Sequence, residues 1–182
     1  MQSEHLQQII EYYIEDTKDY LNRSEKDLLD LESLLKDREK MNGLGCHLKS
    51  IKGGAAMLGL GSIQSIAQCL EDVCRAIELC GSPIQADQKL KDLLMQVFYA
   101  LKELVGQLSE SSGLTDEKAA QVMLEIDPVR ESLKAHLDWL VKYSCPICRS
   151  EIAIASDSPD ETPSLDDLQS LIDELSLDSS ST

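Results

Sequence analysis

Apolar residues recur along the first 108 positions at intervals of three and four, the spacing of helices that each bury one stripe. Leu6, Ile9, Ile10, Tyr13 and Ile14 make such a stripe over residues 4–14, and Tyr20, Leu21, Leu28, Leu31, Leu34 and Leu35 continue it over 16–38. Asp16 or Thr17 stands where an N-cap would open that second helix. Gly43 and Gly45 mark a loop, or a weakened first turn, ahead of a third helix at 44–58. Gly59 and Gly61 end it, since glycine is the usual residue just past a helix C-terminus. Ser62 caps a fourth helix, Ile63–Leu79, which Cys80-Gly81-Ser82-Pro83 closes. A fifth runs from about Asp87 to Leu108, with Leu90, Leu93, Leu94, Val97, Phe98, Leu101, Leu104 and Val105 on one side.

Ser109–Gly113 then reads as a linker, and residues 116–126 and 128–143 as one helix broken or kinked at Asp127-Pro128. Proline lacks an amide donor and disfavours helical backbone in the residue before it. Trp139 shares this segment with Leu133, Leu137, Leu140 and Val141; it is expected to pack on the bundle, and a position facing a partner is the alternative. Residues 156–164, rich in Ser, Pro, Asp and Thr, predict disorder. Beyond them Leu165, Leu168, Leu171, Ile172 and Leu175 sit at helical spacing between acids, a pattern that suits folding into a partner's groove. No stretch alternates like a strand. The expected fold is all-α: an antiparallel four-helix bundle of segments 17–38, 44–58, 62–79 and 87–108, with an N-terminal capping helix. The expected domains are a bundle at 1–110, a helical extension at 111–150 and a disordered acidic tail at 151–182.

Composition agrees with helices. Aromatics are 4% of the 182 residues, so the core is left to Leu, Ile, Ala and Met. The net charge is −16; nine of the 33 acids and none of the 17 bases lie in 151–182, which leaves −7 on residues 1–150. Such a balance repels phosphate backbones and anionic lipid and excludes nucleic acid and membrane surfaces as expected partners. No apolar run is long enough to span a bilayer, and no basic stretch followed by an apolar one opens the chain. A cytoplasmic protein is expected, with its six cysteines reduced and with Cys69 and Cys74 serving as small core residues.

The informative stretch is Cys46-His47-Leu48-Lys49-Ser50-Ile51-Lys52-Gly53-Gly54-Ala55-Ala56-Met57-Leu58-Gly59. Lys52-Gly53, Ala55-Ala56 and Leu58-Gly59, followed by Ser62-Ile63-Gln64 and Leu70-Glu71-Asp72, resemble the core of histidine-phosphotransfer (HPt) domains. The likeness includes those of chemotaxis-type kinases, is nearest in wording to cyanobacterial versions, and spans roughly residues 4–108. It implies a helical bundle, a two-component or phosphorelay setting, and a response-regulator receiver domain or a histidine kinase as partner. In the family the phosphorylated histidine lies three residues before the lysine. Here that position is Lys49, and the nearby histidine, His47, comes two residues early.

Two positions turn a side chain by about 200° around a helix. Lys49 and Gly53 therefore point away from the apolar stripe of Leu44, Leu48, Ile51 and Ala55, with Lys52 and Ala56 beside it, whereas His47 falls on the other flank. Phosphotransfer needs an unprotonated nitrogen, which imidazole supplies with an ordinary pKa near 6.5; an exposed lysine, at about 10.4, keeps its proton at neutral pH. The resemblance thus implies docking without transfer, through Lys49, Lys52, Gly53 and Ala56, against the acidic pocket around a receiver's aspartate. Two readings stay open beside it. One is active phosphotransfer through His47. The other is a metal or redox role for Cys145-Pro-Ile-Cys148, whose spacing lets two thiolates share a zinc ion although no second pair follows. No other cofactor is expected.

Overall fold

A computed structural model describes residues 2–80, 84, 86–110 and 113–144. Six helices account for nearly all of them: α1 (Gln2–Leu29), α2 (Leu31–Lys36), α3 (Arg38–Met57), α4 (Gly61–Leu79), α5 (Gln88–Leu108) and α6 (Asp116–Ser144). The all-α expectation holds. Its first boundary does not: the separate capping helix and the first bundle helix are one continuous α1. Thr17 is not a cap but a buried residue within the helix, on the same stripe as Tyr13, Leu21 and Ser24.

The chain turns later, at two aspartates. Asp30 accepts from the Ser33 amide at 3.3 Å, and Asp37 accepts from the Glu39 and Lys40 amides at 3.0 and 3.1 Å. Each satisfies amides that the first turn of a helix leaves free. Helix α3 consequently starts at Arg38 and runs straight through Gly43 and Gly45, where a loop or a weakened first turn was expected. Each glycine costs about 1 kcal/mol relative to alanine. Burying Met41, Leu44 and Leu48, at about 1.5–3 kcal/mol each, outweighs that. The end of α3 falls where the sequence placed it. Gly59 adopts φ +72°, the Leu60 amide reaches the Ala55 carbonyl at 2.9 Å and the Gly59 amide the Ala56 carbonyl at 3.3 Å. This paired closure lets the chain reverse within three residues, so α3 and α4 run antiparallel.

Helices α1, α3, α4 and α5 form a closed ring in which α1 touches α3 and α5, and α4 touches α3 and α5. Leu21, Leu34, Leu44, Leu48, Ile51, Ile63, Ile66, Leu90, Phe98, Leu101 and Leu104 fill its centre. Lys102 pairs with Glu25 at 2.7 Å, and Lys91 donates to the Leu29 carbonyl at 2.7 Å, tying α5 to α1. Cys74 is buried, which pushes its thiol up to about 12, and Cys69 is half-buried; both are free thiols.

Helix α6 packs on the outside of α5 and α4 and is unbroken at Pro128. Pro128 is exposed, while Val122, Ile126, Leu133, Leu137 and Leu140 hold the opposite side of the helix against the ring. Packing along that side carries the helix past the missing amide. Arg130 donates to the Ser65 hydroxyl on α4 at 3.1 Å, and His136 reaches the Asp87 carboxylate at 2.8 Å. Trp139 departs from expectation: it is 51% exposed, stacked with His136 and tilted against Tyr143 rather than buried on the ring. Its place in the helix, two residues from both Leu137 and Val141, points it off the buried stripe.

The described residues form one compact unit. Cys145, Cys148, the expected disordered stretch and the acidic leucine segment of the tail lie outside the described residues. Among the described residues, no helix is long and apolar enough to cross a membrane.

Candidate functional site

The two flanks of α3 are built differently. On the α1 flank, His47 stacks on Tyr20 with ring centroids 5.1 Å apart, and its Nδ1 shares a 3.3 Å hydrogen bond with the buried Ser24 hydroxyl. Burial lowers its pKa below 6.5; Arg23 adds to the effect and Asp27 opposes it. The imidazole is therefore neutral at pH 7 and held between helices. One turn on, the Tyr13 hydroxyl donates to the Ile51 carbonyl at 3.1 Å and its ring lies against Gly54. A Cβ at Gly54 would meet that ring at 2.5 Å, so only glycine fits there as the helices stand.

The other flank is open. Lys49, Gly53 and Ala56 are exposed, and nothing beyond the adjoining turns of α3 itself lies within 4 Å of where a Gly53 Cβ would be. Met57, at 88% exposure, ends this surface. Lys49, Gly53 and Ala56 thus share one accessible strip, as their spacing predicts. Lys52 differs. It is half-buried and bridges to Glu71 on α4, so it does not stand on the strip as a free charge.

Glu71 is the centre of this arrangement. It is 5% exposed, and its two carboxylate oxygens are taken separately: Oε2 by Lys52, Oε1 by Arg75 at 3.0 Å. The Lys52 hydrogen bond is the main influence lowering its pKa, burial works against it, and the charges of Lys52 and Arg75 add to the lowering. A carboxylate buried this far requires such partners. The place of Glu71 in the core has a signal in the sequence beyond the family likeness. Ile63, Ile66, Ala67, Leu70 and Cys74 put position 71 on the buried side of α4, and an acid on an apolar stripe calls for a cation opposite. The roles of Tyr13, Tyr20 and Ser24 are not readable there, because contacts between α1 and α3 leave no mark in either helix alone.

Among the described residues, no three His, Cys, Asp or Glu side chains are grouped to hold a metal ion.

No curated protein sequence matches the chain. A crystal structure of the phosphorylated P1 domain of CheA3 in complex with CheY6 from R. sphaeroides has a similar fold. Its TM-score is 0.59 at 19% sequence identity, and the match covers 73% of this chain and 98% of that one. The Hpt domain family matches residues 8–111, from the second turn of α1 past the end of α5, which includes the whole α3 strip and the Glu71 cluster. By that match over more than half its length, the chain belongs to the Hpt domain family.

Proposed function

We propose that this chain is a docking module of a two-component phosphorelay, whose α3 strip seats a receiver domain or a histidine kinase without carrying phosphate. The observation that carries this reading is the pair of positions on α3. Lys49, three residues before Lys52, occupies the accessible strip, whereas His47 is rotated away into the Tyr20–Ser24 pocket. An ammonium group holds its proton and cannot attack a phosphoryl group. Gly53 and Ala56 beside it leave room for a partner's backbone, and Lys49 offers a positive charge to an acidic pocket. The complex of the CheA3 P1 domain with CheY6 supports the choice of a receiver as the first partner to try.

The test is to incubate the wild-type chain and Lys49→His with radiolabelled phospho-donor kinase and a panel of isolated receiver domains, and to measure receiver binding in parallel. The expected result is that both proteins capture the same receivers while only Lys49→His gains an acid-labile, base-stable label. Such a label on His47 of the wild type would instead establish active phosphotransfer. Capture of no receiver or kinase by either protein would overturn docking.

A further inference from the structure

The cations around Glu71 extend past the ion pair. Helices α3 and α4 run antiparallel, and the Lys52–Glu71 bridge fixes their register. Lys49 lies one turn before Lys52 on α3, and Arg75 one turn after Glu71 on α4. In an antiparallel pair both steps go the same way along the seam, so Lys49 and Arg75 come to the same stretch of it. Lys52 and Arg75 hold Glu71 between them and Lys49 stands exposed one turn along the same seam, so three cations and one carboxylate share a stretch of a chain whose net charge is −16. Glu71 is almost wholly buried, while the Arg75 side chain is 59% exposed and Lys49 is exposed. The charge that neutralises is inside and the charges in excess face out. Asp72, next to Glu71, turns toward the groove between α4 and α6 and accepts from Gln68 at 2.7 Å. Glu78, exposed one turn past Arg75, bounds the cationic stretch.

We propose that this seam is an anion clamp that makes the chain a reader of phosphorylated receivers. Lys49 and Arg75 grip the phosphoryl group on a receiver's aspartate, with Lys52 held on Glu71 behind them, so the phosphorylated form is bound in preference to the unphosphorylated one. The inference rests on the docking reading above and adds which state of the partner is docked. A phosphoryl group brings extra negative charge and three strong acceptor oxygens, and charge-assisted bonds to it are stronger than neutral ones. Arginine adds a planar group with further donors for those oxygens, and Glu71 holds it in place beforehand by accepting from its Nη2. An acceptor histidine at position 49 would be neutral and would contribute no such charge.

The test uses the full chain and a receiver captured in the docking experiment. The receiver is prepared with magnesium alone and with magnesium plus beryllium fluoride, a stable stand-in for the aspartyl phosphate. Calorimetric titration of the two forms is expected to show about tenfold tighter binding of the beryllium fluoride form, a preference that weakens as salt is raised. Arg75→Gln and Lys49→Gln are each expected to bring the two affinities within about threefold. Both side chains lie at the surface and Glu71 keeps Lys52 as a partner in Arg75→Gln, and circular dichroism checks that the fold is retained. Lys134→Gln on α6 is expected to change nothing. Equal affinity of the wild type for both receiver forms, or a preference that survives both substitutions, would overturn the clamp while leaving docking intact. Binding of neither form overturns the docking reading itself.

Discussion

The two flanks of α3 use the same kinds of residue to opposite ends. Gly53 and Gly54 are neighbours in the chain; one faces open space, the other faces a tyrosine ring that would stand 2.5 Å from any Cβ. His47 and Lys49 are two residues apart; one is stacked and hydrogen-bonded between helices, the other is exposed. The α1 flank spends its residues on holding the bundle together, and the open flank leaves its residues unengaged. Residue type therefore says little about role here. The angle around the helix axis says more.

Four measurements test that contrast. The largest effect is expected at Gly54: Gly54→Val forces Tyr13 aside and breaks its bond to the Ile51 carbonyl, lowering stability by about 2–3 kcal/mol in urea denaturation. Adding Tyr13→Ala to that variant is expected to cost less than the two changes summed, because they share one contact. At Gly53 the sign reverses. Gly53→Ala meets nothing within 4 Å beyond the adjoining turns of α3 itself and is expected to stabilise by about 1 kcal/mol, the helix propensity difference. Equal effects at the two glycines would erase the contrast. Ser24→Ala removes the His47 partner from a buried site and is expected to cost about 1 kcal/mol.

The smallest effect is a pH dependence. The folded-state pKa of His47 lies below its unfolded value of 6.5, so folding favours the neutral ring. That contribution is complete above pH 6.5 and is lost as the pH falls through the folded pKa. Glu71 and Asp87 also have lowered pKa values, but from ordinary values of 4.5 and 3.8, so their losses begin at lower pH. A decline in melting temperature that begins just below pH 6.5 and disappears in His47→Gln is the expected outcome. A decline unchanged by that substitution would place the proton elsewhere.

Much of the bundle was legible from periodicity, because each ring helix buries one continuous stripe. The end of α3 was legible because Gly59 takes a backbone conformation that glycine favours, and the Lys52-Gly53 to Leu58-Gly59 pattern led to the right family. What escaped depended on other helices. Thr17 looks like a cap until α1 is seen to bury it. Gly43, Gly45 and Pro128 look like breaks until packing overrides their local cost. Trp139 looks like core by composition, but its angle on α6 leaves it outside. Lys52 read as a surface charge because its partner, Glu71, is 19 residues away on another helix.

Asp87 carries one further consequence. Its carboxylate caps α5 by accepting from the Leu90 amide at 2.7 Å, and the same group holds His136 on α6. Burial raises its pKa, but the bonds from His136 and Leu90 and the charges of His136 and Lys89 bring it below the ordinary value. The start of one helix and the seating of another are thereby written into a single side chain. Solvent deuterium should enter the Leu90 amide in step with the opening of α6, making that one proton a built-in gauge of how often the outer helix lifts from the bundle.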